Sequence, residues 1–175
     1  MRKRIDFICP HCNNKERVSI FDELDVSSIN EVLDRSKFTH TCEKCNQKTV
    51  LDYSFKFHGN GYILFYSKNN KIEKNVKRIC YDFGDLKEKI MIFEDGLNDI
   101  LIEYFKHYIN KQINKNDELR YDGSDEENII FYNLDTKDSL GIKKELYDYF
   151  LNKFKFKDKN DVEVNSESFI KYMDN

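Results

Sequence analysis

The chain has 175 residues, a length that fits one ordinary domain or one domain with a small appendage. Apolar residues make up 39% and charged residues 35%, with a mean hydropathy of -0.75; the sequence has no membrane-spanning run, and the 14 Phe and 11 Tyr provide large side chains for a core. A formal charge of -3 is far from the strongly basic footprint of a protein that grips nucleic acid with much of its surface.

In chain order, the start Met1-Arg2-Lys3-Arg4-Ile5-Asp6 has no apolar stretch of signal-peptide length and predicts a cytoplasmic protein. Residues 4 to 8 and 17 to 21 alternate as short strands. Ser28-Ile29-Asn30-Glu31 has the capping-box pattern of a short helix. Residues 49 to 57 alternate apolar and polar, and Gly59-Asn60-Gly61 turns them into residues 62 to 67, a β-hairpin. Asp85 opens a helix to about Glu94, Asp95-Gly96 interrupts or kinks it, and a longer helix runs to about Ile113. Leu97, Ile100, Leu101, Tyr104, Phe105 and Tyr108 form its core stripe, with Asp99, Glu103 and His107 on the wetter side. Residues 118 to 122 and 128 to 134 form a hairpin around Gly123-Ser124. A helix over 143 to 154 and a short one over 166 to 173 complete the set.

Two C-x-x-C pairs, Cys9-Pro10-His11-Cys12 and Cys42-Glu43-Lys44-Cys45, carry the chemistry. Each bends into a knuckle offering two thiolates, and four thiolates match a closed, tetrahedral structural zinc site in a reducing compartment. Asn13 and Asn46 follow the second cysteine of each pair, where positive φ is required. The expected ligands of one Zn2+ are therefore Cys9, Cys12, Cys42 and Cys45. His11 and His40 are read as surface residues, and Cys80 as a buried apolar thiol. The 29 residues between Cys12 and Cys42 exceed the span of a usual zinc ribbon and need structure of their own.

These cysteine motifs, followed by Lys89-Ile90-Met91-Ile92-Phe93-Glu94-Asp95-Gly96-Leu97-Asn98-Asp99 and then Ile102-Glu103, resemble the bacterial and archaeal CpXC domain family over roughly residues 5 to 135. The second motif departs from the pattern with Glu43 in place of proline, which bears on turn rigidity more than on metal binding. The resemblance implies a domain bearing a zinc ribbon, in a family without an assigned activity. The fold class expected is α+β: a zinc-ribbon-like β region with a short inserted helix, then a mixed helix and β-hairpin region. Residues 1 to 135 form the CpXC-like domain, and 136 to 175 a helical extension packed on the same unit.

Two other stretches invite sharper hypotheses. Asp95, Asp99, Glu103 and His107 recur every four residues, and Glu103 with His107 has a spacing that suits a second metal, the basis of a metal-dependent hydrolase reading. A solvated helix face explains the stripe without chemistry. For nucleic acid, residues 1 to 80 carry 15 basic and 10 acidic side chains (+5), and 81 to 175 carry 14 and 22 (-8). Lys68, Lys71, Lys74, Lys77 and Arg78 follow Tyr62, Phe65 and Tyr66, which could hold phosphates and stack bases. The near-neutral ribbon, with 10 basic and 9 acidic residues over 1 to 58, disfavours that partner. The preferred expectation is a noncatalytic structural-zinc-binding protein that presents a surface to a protein partner or to another copy of itself, with no membrane partner.

Overall fold

The computed structural model describes residues 2–174. Strands β1 (Arg2–Ile8) and β2 (Lys15–Phe21) form an antiparallel hairpin in which Arg2 faces Phe21 and Ile8 faces Lys15. The short β3 (Glu23–Asp25), a 3-10 turn over Val26–Ser28, α1 (Ile29–Leu33) and a second 3-10 turn over Ser36–Phe38 lead to β4 (Thr39–Thr41), which pairs with β5 (Lys48–Val50) as a second small hairpin. Strands β6 (Phe55–His58), β7 (Ile63–Tyr66) and β8 (Arg78–Cys80) join β3 in a four-stranded sheet of order β3-β6-β7-β8. Its outer pairings are parallel and its central one antiparallel.

Two helices follow, α2 (Phe83–Glu94) and α3 (Asp99–Ile113). A three-stranded antiparallel meander of β9 (Leu119–Ser124), β10 (Asn128–Asn133) and β11 (Ser139–Lys143) comes next, with β10 in the middle. Helix α4 (Lys144–Lys153) continues directly from it. The chain ends with β12 (Lys155–Phe156), a 3-10 turn over Phe169–Tyr172, and β13 (Met173–Asp174), which returns antiparallel to β12. The fold is thus mixed α+β, as the sequence patterns predict.

Local chemistry explains several boundaries and corrects others. Helix α2 starts three residues earlier than expected because Asp82, not Asp85, is its N-cap: the Asp82 carboxylate accepts the Asp85 N–H at 2.9 Å. It ends completely at Asp95-Gly96. Gly96 lies at φ +70°, Leu97 N–H reaches the Ile92 carbonyl and Gly96 N–H the Phe93 carbonyl, the paired bonds of a Schellman motif. Asn98 then caps a new helix through Ile100 and Leu101 N–H. The capping box at Ser28 does not form. Ser28 makes no side-chain cap, and Glu31 pairs with Lys37 while Asp25 caps the preceding turn. The single strand expected over 49 to 57 is split between the β4–β5 hairpin and the four-stranded sheet. The later hairpin turns at Asp125 to Glu127, held by the Asp125 carboxylate, while Gly123 sits beside a bulge. Residues 139 to 143 are strand, and the terminal helix expected over 166 to 173 is only a 3-10 turn.

Two apolar cores lie on either side of α2. Phe55, Phe57, Leu64, Leu86 and Ile90 pack between the four-stranded sheet and α2, with Cys80 buried among them. Leu101, Phe105, Tyr121, Ile129 and Phe131 pack α3 against the meander and α4, and Ile92 projects from α2 into this second core. Phe57 is fully buried, so Phe57→Ala is expected to cost about 3–5 kcal/mol of unfolding free energy in urea titration. A loss below about 1 kcal/mol would contradict the packing, because a fully buried ring cannot be deleted that cheaply.

Candidate metal centre

Each hairpin of the N-terminal region carries one C-x-x-C pair at its turn, and the two turns are built alike. Cys9 N–H bonds the Asn14 carbonyl and Asn13 N–H the Cys9 carbonyl, both at 2.9 Å. In the second, Cys42 N–H bonds the Gln47 carbonyl at 3.0 Å and Asn46 N–H the Cys42 carbonyl at 2.9 Å. Asn13 and Asn46 lie at φ 56° and 55°, the left-handed region in which asparagine costs little. Proline at position 10 and glutamate at position 43 therefore support the same turn.

The turns face each other so that Cys9, Cys12, Cys42 and Cys45 place their sulfurs within 4.8 Å of one another. Cys9 Sγ stands 3.7 Å from Cys45 Sγ, and Cys12 Sγ 3.7 Å from Cys42 Sγ. These spacings are far beyond a disulfide bond of about 2.05 Å. Four thiolates bound at about 2.3 Å to one ion would stand about 3.8 Å apart at the corners of a tetrahedron. The donor set and its spacing fit a metal ion. Among the described residues this is the one group of three or more Cys, His, Asp or Glu that could hold an ion.

The thiols differ in proton affinity. Burial works against Cys9 ionisation, yet the backbone N–H groups of His11 and Cys12 and the neighbouring sulfurs of Cys42 and Cys45 bring its pKa down to about 7. Cys42 is pushed up to about 12, first by its hydrogen bond to Glu16 and then by burial. A bound dication favours the thiolate form at every ligand and would override this difference. Glu16, on β2, is held at about 2 by hydrogen bonds from Cys42, Asn14 and His40. His11 is exposed, whereas His40 is half-buried, with Nε2 2.8 Å from Glu16 Oε2. His40 thus supports the centre from outside it.

The acidic stripe has a different fate. Asp95 closes α2 and Asp99 opens α3, so no continuous helix carries all four residues. Asp99 and Glu103 are buried rather than solvated, because this side of α3 faces cations on β8 and α2. Arg78 grips Asp99 through Nε and Nη2, both at 2.8 Å. Lys89 Nζ lies 3.3 Å from Asp99 and 3.1 Å from Glu103 Oε1, and Lys106 Nζ reaches the same Oε1 at 3.0 Å and Glu88 at 2.6 Å. Arg120 then joins Glu88 to Asp85. Eight side chains of alternating sign run from Arg78 to Asp85, beneath a cleft of about 480 Å³ whose floor includes Glu88, Lys89, Glu103 and Lys106. Burial would lower Lys89, but the carboxylates of Glu103 and Asp99 outweigh it and raise its pKa. Burial opposes ionisation of Asp99 and Glu103 in turn, and the adjacent cations overcome it and hold both below the usual carboxylate range. Residues 99 to 103 are buried without a break, and nothing in the sequence signalled the two carboxylates because the cations that hold them, Arg78 and Lys89, lie on other elements.

The basic and aromatic stretch separates in the same way. Tyr62, Phe65 and Tyr66 are buried, so their faces are not open to bases. Lys68 pairs with Asp52 and Lys77 with Asp158, while Lys71 and Lys74 remain exposed. No helix among the described residues is long and apolar enough to cross a membrane. A family model described as CpXC protein matches residues 7–106, a span that includes both knuckles, the four-stranded sheet and α2. No curated protein and no solved structure matches the chain.

The lowered Asp99 and Glu103 give a signed pH dependence. The unfolded chain takes up protons more readily at these carboxylates, so their contribution is complete above the unfolded carboxylate range near 4 and is lost as pH falls below it. Asp99→Asn removes one of these anions and leaves Arg78 and Lys89 short of a buried counter-charge. It is expected to cost about 3–5 kcal/mol at pH 7 and to flatten the acid limb. Urea titrations between pH 3 and 7 check this, and an acid limb as steep as that of the parent would contradict it.

Proposed function

The chain belongs to the CpXC family, and on that premise we propose that it is a structural-zinc-binding protein that serves as a protein-interaction or self-association module. The observation that carries the reading is the group of four cysteine sulfurs, with cross-knuckle spacings of 3.7 Å, contributed by two hairpins with matching turns. Zinc suits four thiolates in a closed site, since it has no redox chemistry and accepts a tetrahedron of sulfur without strain. All five cysteines are free, which suits a reducing compartment such as the cytoplasm. The ion would be one per chain and would act on structure, joining the two hairpins.

The interaction reading draws on apolar side chains left outside the cores. Ile8, next to Cys9, is 58% exposed, and Val50, at the end of β5, is 50% exposed. Both sit on the hairpins that the ion would join, so metal occupancy would set how they are presented. The hydrolase hypothesis loses its starting point, because Glu103 is committed to Lys89 and Lys106 while exposed His107 belongs to no candidate metal group among the described residues.

Native mass spectrometry of protein purified without chelator is expected to show one zinc per chain. Cys9→Ser and Cys42→Ser are each expected to lose zinc and melting temperature together, and a chelator is expected to lower the melting temperature of the parent. A Cys42→Ser protein that keeps both full zinc content and the parent melting temperature would overturn the four-cysteine site.

A further inference from the structure

Glu16 lies outside both C-x-x-C pairs, yet its carboxylate ties the first hairpin to the second knuckle. Oε1 accepts hydrogen bonds from Asn14 Nδ2 at 2.8 Å, from Glu43 N–H at 3.2 Å and from the Cys42 thiol at 2.9 Å. Oε2 stands 2.8 Å from His40 Nε2 on β4. The side chain is only 7% exposed, so these bonds are sheltered from competing water. Three of the four partners are not sulfur, so their bonds to Glu16 need no Cys42 proton, which a metal-bound thiolate would lack. The two knuckles differ at one informative place. Pro10 has no N–H, whereas the equivalent Glu43 has one, and Glu16 uses it.

We propose that Glu16 is a positioning residue of the metal centre: through Glu43 N–H and His40 it fixes the second knuckle against the first hairpin and thereby slows release of the bound ion. The inference rests on the four-cysteine zinc site proposed above. An ion held by two knuckles leaves when one of them swings away, and the second knuckle is the one Glu16 restrains. Outer hydrogen bonds of this kind change metal affinity by about 10–100-fold in known sites.

The test loads the full chain and its Glu16→Ala, Glu16→Gln and Glu43→Pro variants with zinc, and times zinc transfer to an excess of a chromophoric chelator. Glu16→Ala is expected to release zinc about 10–100-fold faster. Glu16→Gln keeps a carbonyl acceptor and is expected to fall between it and the parent. Glu43→Pro deletes one N–H and keeps the turn, since Pro10 occupies the equivalent place in a knuckle closed by the same bonds, so it is expected to release zinc faster than the parent by a smaller factor. It also decides the matter should Glu16→Ala fail to fold. Parent-like release from Glu43→Pro and from any folded Glu16→Ala overturns the proposal. So does a Glu16→Ala protein whose zinc-loaded and zinc-free melting temperatures fall equally while its release rate stays unchanged, because that marks an ordinary structural strut. A parent protein that takes up no zinc would instead overturn the four-cysteine reading itself, which keeps the two failures distinct.

Discussion

The N-terminal third of this chain depends on a connection between two hairpins that cannot hold themselves together by apolar burial. None of the six residues of β4 and β5 is buried, and strands β1 and β2 bury only Val18 and Ile20. A two-stranded hairpin in water is marginal on its own. The two turns meet face to face at the group of four sulfurs, with the Glu16 carboxylate beside it. The intervening segment is anchored elsewhere, through β3 on the edge of the four-stranded sheet and through Val32 and Phe38 in the first core. The metal ion proposed at the sulfurs would close a loop whose far side is already fixed, an arrangement that would couple its binding to folding.

A second constraint governs the middle of the molecule. The charges from Arg78 to Asp85, all buried except Arg120 and Asp85, draw on β8, α2, α3 and β9, and so bridge the elements that enclose the two apolar cores. Ion pairs of this kind add little net stability over apolar residues of the same volume, while loss of one member is costly. Their effect is on register: α2 and α3 can meet only where Lys89 finds both Asp99 and Glu103. The Schellman ending at Gly96 and the Asn98 cap set the angle that brings this about.

The four-cysteine cluster was legible because its information is local. Spacing within each C-x-x-C pair and the asparagine after it specify a turn whatever surrounds it, and both asparagines take positive φ as expected. The start of α2 was placed late because Asp82 and Asp85 are both good caps, and only the chain direction out of β8 selects the first. The strand expected over 49 to 57 failed because alternation records which side chains face inward, not which sheet a strand joins; residues 51 to 54 cross from one sheet to another. Burial of Asp99 and Glu103 was missed because their partners lie on other elements, and a charged stripe reads as solvated until those partners are known. Glu16 gave no sequence signal of its own, since its role arises from residues 24 and 27 positions away.

X-ray absorption at the zinc K-edge of the zinc-loaded chain tests the central claim most directly, because it reads the atoms bound to the ion rather than the consequences of binding. The account predicts a shell of four sulfurs at about 2.3 Å. A shell dominated by nitrogen or oxygen, or one with two sulfurs from a single knuckle, would contradict it.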